Sequence, residues 1–147
     1  MSKLARDIMT PAPQCCSRET TLNEVANLMV EADCGEIPVT DASNRLIGVI
    51  TDRDIVCRAV AKGKNPSAVT AGECMTEPVV VVTEDTSLND VLGVMEENQI
   101  RRVPVVDAVG HCCGIISQAD IALTAREVEV GELVREVSKD STLGLTH

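Results

Sequence analysis

The chain has 147 residues, a formal net charge of −10 and a hydrophobic fraction of 44%, which suits a globular protein with a buried core. The negative charge disfavours DNA and RNA as partners, and the absence of Phe, Trp and Tyr removes the usual stacking platform for single-stranded bases. No apolar run approaches the ~20 residues that span a bilayer. The first residues lack a signal-peptide pattern, and the seven cysteines do not form a secreted disulfide framework, so we expect a cytoplasmic protein.

An internal repeat organises the chain. Met75-Thr76 follows Met9-Thr10 by 66 residues, and this offset holds without a gap as far as Asp54 and Asp120. Repeats of this kind indicate two copies of one structural unit. We predict a first unit at residues 7–61, a linker at 62–72, a second unit at 73–125, and a terminal helix and tail at 126–147.

Each copy is predicted to follow the order β-α-β-β-α. An extended segment (13–16 or 79–82) precedes a helix whose apolar residues recur at i, i+3, i+4 and i+7. The helices begin with capping boxes at Thr21 and Ser87. Two short strands follow, at 36–40 and 46–50 in copy one and at 102–106 and 112–116 in copy two. A second helix starts at Thr51 or Ser117, with its apolar face in copy one formed by Ile55, Val56, Ala59 and Val60.

One unit of this size cannot bury its sheet alone. We therefore predict an α/β fold in which the two repeats pack sheet to sheet about a pseudo-two-fold axis. This arrangement creates two related clefts between the copies.

The most informative motif is a hydroxyl residue at a strand end, followed three positions later by an acid. It occurs as Thr51 with Asp54 and as Ser117 with Asp120. A hydroxyl and free helix amides can bind a phosphate, and a carboxylate can accept two hydrogen bonds from a ribose diol. The same pattern is also a capping box, which needs no ligand.

The chain resembles a tandem pair of cystathionine-β-synthase-type (CBS) domains, called a Bateman module. The resemblance covers nearly the whole chain and is carried by the segments 7–10, 37–39, 48–54, 75–76, 102–105 and 114–120. It implies that Thr51 with Asp54, and Ser117 with Asp120, contact the ribose and phosphate of an adenosine ligand. It also implies that the backbone at Ile37, Pro38, Val103 and Pro104 flanks the adenine, and that two modules form a homodimer through their helices.

Three arginines are candidates for neutralising a phosphate, since a planar guanidinium suits that task. They are Arg53, Arg101 and Arg102. Alternatively, Arg101 and Arg102 are a solvated pair that forms exposed ion pairs with Glu96 and Glu97 on the preceding helix. Copy one has Gly35-Glu36 where copy two has the two arginines, and Ala119 takes the place of Arg53. We therefore expect one occupied cleft rather than two.

His111, Cys112 and Cys113 are the only sequence hint of a metal site, and adjacent cysteines could also form redox links between subunits. Side chains on a strand alternate between its faces, so the three cannot all reach one ion. We expect no metal site. No nucleophile paired with a base and no phosphate-binding glycine loop is present, so we expect no catalytic residues and no enzyme.

These observations predict a regulatory sensor that needs no cofactor. Its ligand would be AMP, ADP, ATP, NAD or S-adenosylmethionine, and its target a separate protein. The alternative is a ligand-free structural or stress-response interaction protein that uses the same fold as a dimer surface. The mismatch between Arg101-Arg102 and Gly35-Glu36 favours this alternative.

Overall fold

The computed structural model describes residues 3–77 and 79–126. Copy one contains α1 (Ala5–Ile8), β1 (Thr10–Pro11), α2 (Leu22–Ala32), β2 (Glu36–Thr40), β3 (Leu46–Thr51) and α3 (Asp52–Ile55), which continues as a π-helical turn at Val56–Val60. Copy two contains α4 (Ala71–Cys74), β4 (Val82–Thr83), α5 (Leu88–Asn98), β5 (Arg102–Val106), β6 (Cys112–Ser117) and α6, described over residues 118–126. The predicted terminal helix lies outside the described residues.

The central helices of the two copies form for the same local reasons. The hydroxyl of Thr21 accepts a hydrogen bond from the Glu24 amide, and Ser87 does the same for Asp90. Only this hydroxyl half of each predicted capping box is formed. Both helices end at a residue in the left-handed conformation, Asp33 (φ 51°) or Gln99 (φ 52°), a common way to terminate a helix.

The predicted apolar face of the next helix in copy one is wrong in part. Ala59 is fully buried, but Val56 and Val60 are 56% and 57% exposed. Successive residues of a helix are rotated by about 100°, so Val56 and Val60 face a different side of the helix from Ile55 and Ala59. Only one half of the apolar set therefore reaches the core.

The strands form two antiparallel hairpins with added strands. β2 pairs with β3, and β5 pairs with β6. β4 adds parallel to β5, and β1 of copy one adds antiparallel to β6 of copy two, which gives a four-stranded sheet in the order β1-β6-β5-β4. In copy one the extended segment makes a single bridge, between Cys16 and Val39, rather than a strand.

The contacts between the copies are reciprocal, which supports the predicted pseudo-two-fold axis. Each isolated bridge between the copies has a counterpart shifted by the repeat offset, and the bridge between Arg45 and His111 is its own counterpart. The other reciprocal pairs are Leu4 with Ser87 and Thr70 with Thr21, and Thr10 with Ile115 and Thr76 with Val49.

Each core is completed by a segment of the other copy. Ala71, Cys74 and Met75 pack with the copy-one residues around Leu22, whereas Ala5 and Ile8 pack with the copy-two residues around Val91. The amide of Leu22 donates to the Val69 carbonyl, and the amide of Leu88 donates to Lys3. The two copies therefore depend on each other for a closed core. The predicted domain boundaries stay a prediction.

None of the described helices is long and apolar enough to cross a membrane.

Candidate functional site

The two strand-to-helix turns form complete capping boxes. The Asp54 amide donates to Thr51 Oγ1 (3.0 Å), and the Thr51 amide donates to Asp54 Oδ2 (3.0 Å). In copy two the Asp120 amide donates to Ser117 Oγ (3.2 Å), and the Ser117 amide donates to Asp120 Oδ2 (2.9 Å). The capping role anticipated from the sequence is therefore present, but it uses only one oxygen of each carboxylate.

The remaining capacity of the Asp54 carboxylate is used within the chain. The Thr76 hydroxyl lies 3.2 Å from each of its oxygens, and Nε of Arg58 lies 3.7 Å from Oδ1. The Arg58 guanidinium also donates to the backbone carbonyls of Cys74 and Met75. Asp54 is 9% exposed, so this carboxylate is enclosed by protein groups.

Asp120, its counterpart in copy two, has fewer partners. Thr124 stands where copy one has Arg58, and its hydroxyl donates to the backbone carbonyl of Asp120 rather than to the carboxylate (3.0 Å). Thr10 stands where copy one has Thr76, yet within residues 3–77 and 79–126 Oδ1 of Asp120 accepts no hydrogen bond. Asp120 therefore retains an available acceptor oxygen.

This carboxylate faces a cavity of about 520 Å³ between the two copies. One wall comes from the end of β6, the first turn of α6, and Arg101 and Arg102 at the start of β5. The other wall comes from copy one: Thr10, Pro13, Gln14, the residues 32–34 that end α2, and Glu36. Acidic and basic side chains therefore face one another across the cavity.

Glu36 is the most deeply buried acid on this cavity. It is 7% exposed, and its Oε2 atom is buried without a hydrogen-bond partner among the described residues. Burial raises the pKa of Glu36 to about 7, the nearby Arg102 opposes this rise, and Asp54 adds to it. Desolvation disfavours the charged form of a carboxyl group.

The predicted site residues fall into three groups. Arg101, Arg102, Ser117 and Asp120 line the cavity. Thr51, Arg53 and Asp54 lie at the copy-one turn, where Arg53 is exposed. The third group is buried in the strands β2 and β5 and does not line this cavity; it comprises Ile37, Pro38, Val103 and Pro104.

Several lining residues were not predicted as site residues from the sequence, among them Thr10, Gln14 and Glu36. Thr10 and Gln14 precede the first predicted helix and reach the cavity only because their segment crosses to copy two. The sequence did contain a signal for Glu36. It occupies the position in copy one that Arg102 occupies in copy two, and a reversed charge at equivalent positions of a repeat indicates a functional difference. No ion pair between Arg101 and Glu96 or Glu97 is formed within the part of the chain that the structure describes.

The side chains of His111, Cys112 and Cys113 contact different groups. Nδ1 of His111 lies 3.2 Å from Asp107 Oδ2, and the Cys113 thiol donates to the Val105 carbonyl. The Cys112 thiol donates to the Gly114 carbonyl and the Cys15 thiol to the Pro13 carbonyl. Interaction between these two neighbouring thiols lowers the pKa of Cys15 and raises that of Cys112. Across residues 3–77 and 79–126, no group of three or more His, Cys, Asp and Glu side chains could hold a metal ion.

Comparison with known proteins identifies the family. The model of the CBS domain matches residues 5–60 and again residues 71–126. The chain belongs to the CBS domain family. The predicted resemblance and the tandem α/β fold are thus confirmed, because CBS-pair proteins are also its structural neighbours.

Among CBS proteins, the chain is 37% identical to hypoxic response protein 1 of Mycobacterium tuberculosis over 139 residues, 95% of this chain and 96% of that protein. A solved structure of Hypoxic Response Protein I with two coordinated zinc ions superposes with a TM-score of 0.76, at 41% identity over 82% of this chain and 97% of that one.

Two further CBS neighbours were solved with adenosine compounds. The CBS domain pair of protein MJ0100, in complex with 5′-methylthioadenosine and S-adenosyl-L-methionine, has a TM-score of 0.78 and 28% identity. CBSX2 in complex with AMP has a TM-score of 0.75 and 27% identity. Each comparison covers 86% of this chain and 98% of the neighbour. Some CBS pairs of this fold therefore bind adenosine compounds.

Proposed function

We propose that this CBS-pair protein is a non-enzymatic regulatory module that binds an adenosine-containing ligand in the cavity beside Ser117 and Asp120 and signals to a separate protein. The observation that carries the proposal is the available oxygen of Asp120 on a cavity of about 520 Å³. This volume lies within the range of small-molecule sites, and a carboxylate that keeps a free acceptor can bind a ribose diol.

The anionic part of such a ligand would lie near Arg101 and Arg102. The first turn of α6 contributes less than the sequence predicts, because the Gln118 amide already donates to the Arg101 carbonyl and the Asp120 amide to Ser117. The two guanidinium groups are therefore the main source of positive charge. Solved neighbours in complex with AMP and with S-adenosyl-L-methionine support an adenosine compound as the ligand.

The copy-one turn is not proposed as a second site. Asp54 is enclosed and its oxygens already accept hydrogen bonds from Thr51 and Thr76. A ribose there would have to displace the Thr76 hydroxyl and compete with Arg58. One ligand for each chain is the expected stoichiometry.

Calorimetric titration tests the proposal, with AMP, ADP, ATP, NAD and S-adenosylmethionine as probes. Asp120→Asn keeps an oxygen for the Ser117 amide but loses the charged diol acceptor, so binding should weaken by about tenfold or more. Asp90→Asn, which removes the same charge from the exposed start of α5, is the matched control. The proposal fails if no compound of the series binds the wild-type protein, or if Asp120→Asn binds as the wild type does.

A ligand-free interaction protein is the second candidate, favoured by exposed apolar residues on the helices. Val30 is 80% exposed, and Val56 and Val60 are more than half exposed. We propose that these valines form a homodimer interface, with Val56→Glu expected to shift the protein to monomer in light scattering. A nucleotide that co-purifies with the protein would argue against the ligand-free function, and its ultraviolet absorbance is easily seen because the chain has no aromatic side chains.

We also propose a cytoplasmic location. All seven cysteines are free thiols, and reduced thiols are typical of that compartment.

A further inference from the structure

Cys15 of copy one and Cys112 of copy two are neighbouring thiols that the proposed function does not use. β1 pairs antiparallel with β6, and the Ala12 amide extends this pairing by donating to the carbonyl of Cys113. The segment after β1 therefore runs beside the start of β6, which begins at Cys112. The two side chains meet there, because each thiol changes the pKa of the other.

The repeat provides an independent check of this contact. Shifted by the repeat offset, the counterparts of Cys15 and Cys112 are Val81 and Leu46, and these two residues line one surface cavity together. The equivalent place thus brings together two apolar side chains, which pack without any special chemistry. The thiol pair therefore adds a reactivity that the packing of the copies does not require.

The two thiols differ in their access to solvent and in their acidity. Cys15 is partly exposed, whereas Cys112 is 8% exposed. Cys112 lowers the pKa of Cys15, while Cys15 and burial raise the pKa of Cys112. The thiolate is the reactive form of cysteine, and redox-sensitive cysteines are accessible, of low pKa and close to a second thiol. Cys15 therefore has the properties of an attacking thiol, and Cys112 has the position of its partner.

The adjacent cysteines are poor alternatives as partners. Consecutive Cα atoms are about 3.8 Å apart across a trans peptide, which is shorter than the roughly 4.4 to 6.8 Å that a disulfide usually spans. Cys15 with Cys16, and Cys112 with Cys113, therefore cannot pair without strain. Cys16 is buried in the copy-one core, and the Cys113 thiol donates to the Val105 carbonyl within copy two.

We propose that Cys15 is a peroxide-sensitive modification site and that Cys112 is its resolving thiol, so that oxidation joins the two copies through a disulfide within the chain. The Cys15 thiolate attacks hydrogen peroxide, the O–O bond breaks, and the departing hydroxide takes up a proton to form water. Sγ of Cys112 then attacks the sulfenic acid on Cys15. The S–O bond breaks, and a second water leaves with the proton of the Cys112 thiol. Two thiols are oxidised to one disulfide, and one peroxide is reduced to two water molecules.

The disulfide restrains a segment that lines the cavity between the copies. Pro13 and Gln14, directly before Cys15, lie on the copy-one wall, and the new bond ties them to β6. It also closes a loop that runs through most of both copies. Because closing a loop of about 100 residues strongly restricts the unfolded chain, oxidation should raise the midpoint of thermal unfolding by roughly 5 to 15 °C.

Treatment of the full chain with hydrogen peroxide near pH 8 tests the proposal. After the remaining thiols are alkylated, trypsin digestion without reduction should release a cross-linked pair of the peptides 7–18 and 103–126. Mass spectrometry identifies this pair, which reduction should separate. Denaturing electrophoresis without reductant should show a monomer, and circular dichroism of the oxidised protein should show the higher unfolding midpoint.

Serine variants assign the bond, since each of the two peptides contains two cysteines. Cys15→Ser and Cys112→Ser should each abolish the cross-link, whereas Cys16→Ser and Cys113→Ser, the matched controls, should retain it. Circular dichroism verifies that each variant is folded. The inference is overturned if the wild type forms no cross-link, if the cross-link persists in Cys112→Ser, or if the product is a covalent dimer. The assay uses no adenosine compound, so these outcomes leave the proposed function standing.

Discussion

Replacing Glu36 by Gln should change how the stability of the protein depends on pH. The buried carboxyl group has a pKa of about 7 in the folded protein against an ordinary value of 4.5. A raised carboxyl pKa means that the folded state holds a proton which the unfolded state has lost. Stability from this group is therefore complete below pH 4.5 and is lost as the pH rises through 7.

The magnitude follows from the size of the pKa shift. Each unit of pKa corresponds to about 1.4 kcal/mol, so ionising Glu36 in the folded protein costs about 3 kcal/mol by pH 8. Glu36→Gln removes the ionisation but keeps the shape of the side chain. The free energy of unfolding of the variant should therefore rise relative to the wild type by about that amount, mostly between pH 5 and pH 7.

Urea unfolding followed by far-ultraviolet circular dichroism measures this difference, which suits a chain without aromatic fluorophores. Comparing the two proteins at each pH cancels the titration of the other carboxyl groups. Glu31→Gln on the exposed face of α2 should follow the wild-type curve. Parallel curves for Glu36→Gln and wild type from pH 5 to pH 8 would refute the reasoning.

Two further predictions concern close packing and the thiol pair. Gly114→Ala should lower the free energy of unfolding by about 1 to 3 kcal/mol, because the new Cβ would lie 2.8 Å from Cγ and 3.0 Å from Cβ of Met9. At the control position Gly93, a new Cβ would meet nothing within 4 Å. Gly93→Ala should therefore be neutral or stabilising in the same urea titration. Cys112→Ala should slow alkylation of Cys15 by iodoacetamide near pH 8, because the neighbouring thiol that lowers the pKa of Cys15 is removed. Cys112→Ser, which keeps a donor, should retain most of the rate by mass spectrometry, and equal rates in all three proteins would contradict the assignment.

The sequence by itself predicted the features that depend on local interactions and on the repeat. Strands β2 and β5 were predicted with their observed bounds, and β3 and β6 were each predicted one residue short. The capping boxes at Thr51 and Ser117 are formed. Hydrogen bonds that span three residues are set by neighbouring residues, and the second copy repeats the pattern of the first.

Only the tertiary structure distinguished the two copies of the motif. The Asp54 carboxylate is enclosed by Thr76, which lies 22 residues further along the chain, whereas Asp120 keeps an available oxygen on the cavity. Both crossing segments carry a threonine, but only the Thr76 hydroxyl reaches its carboxylate, whereas Thr10 makes no hydrogen bond to Asp120 among the described residues. No local pattern specifies this difference. Tertiary packing also places Glu36 on the copy-one wall of this cavity, where burial raises its pKa to about 7, which the sequence alone does not reveal.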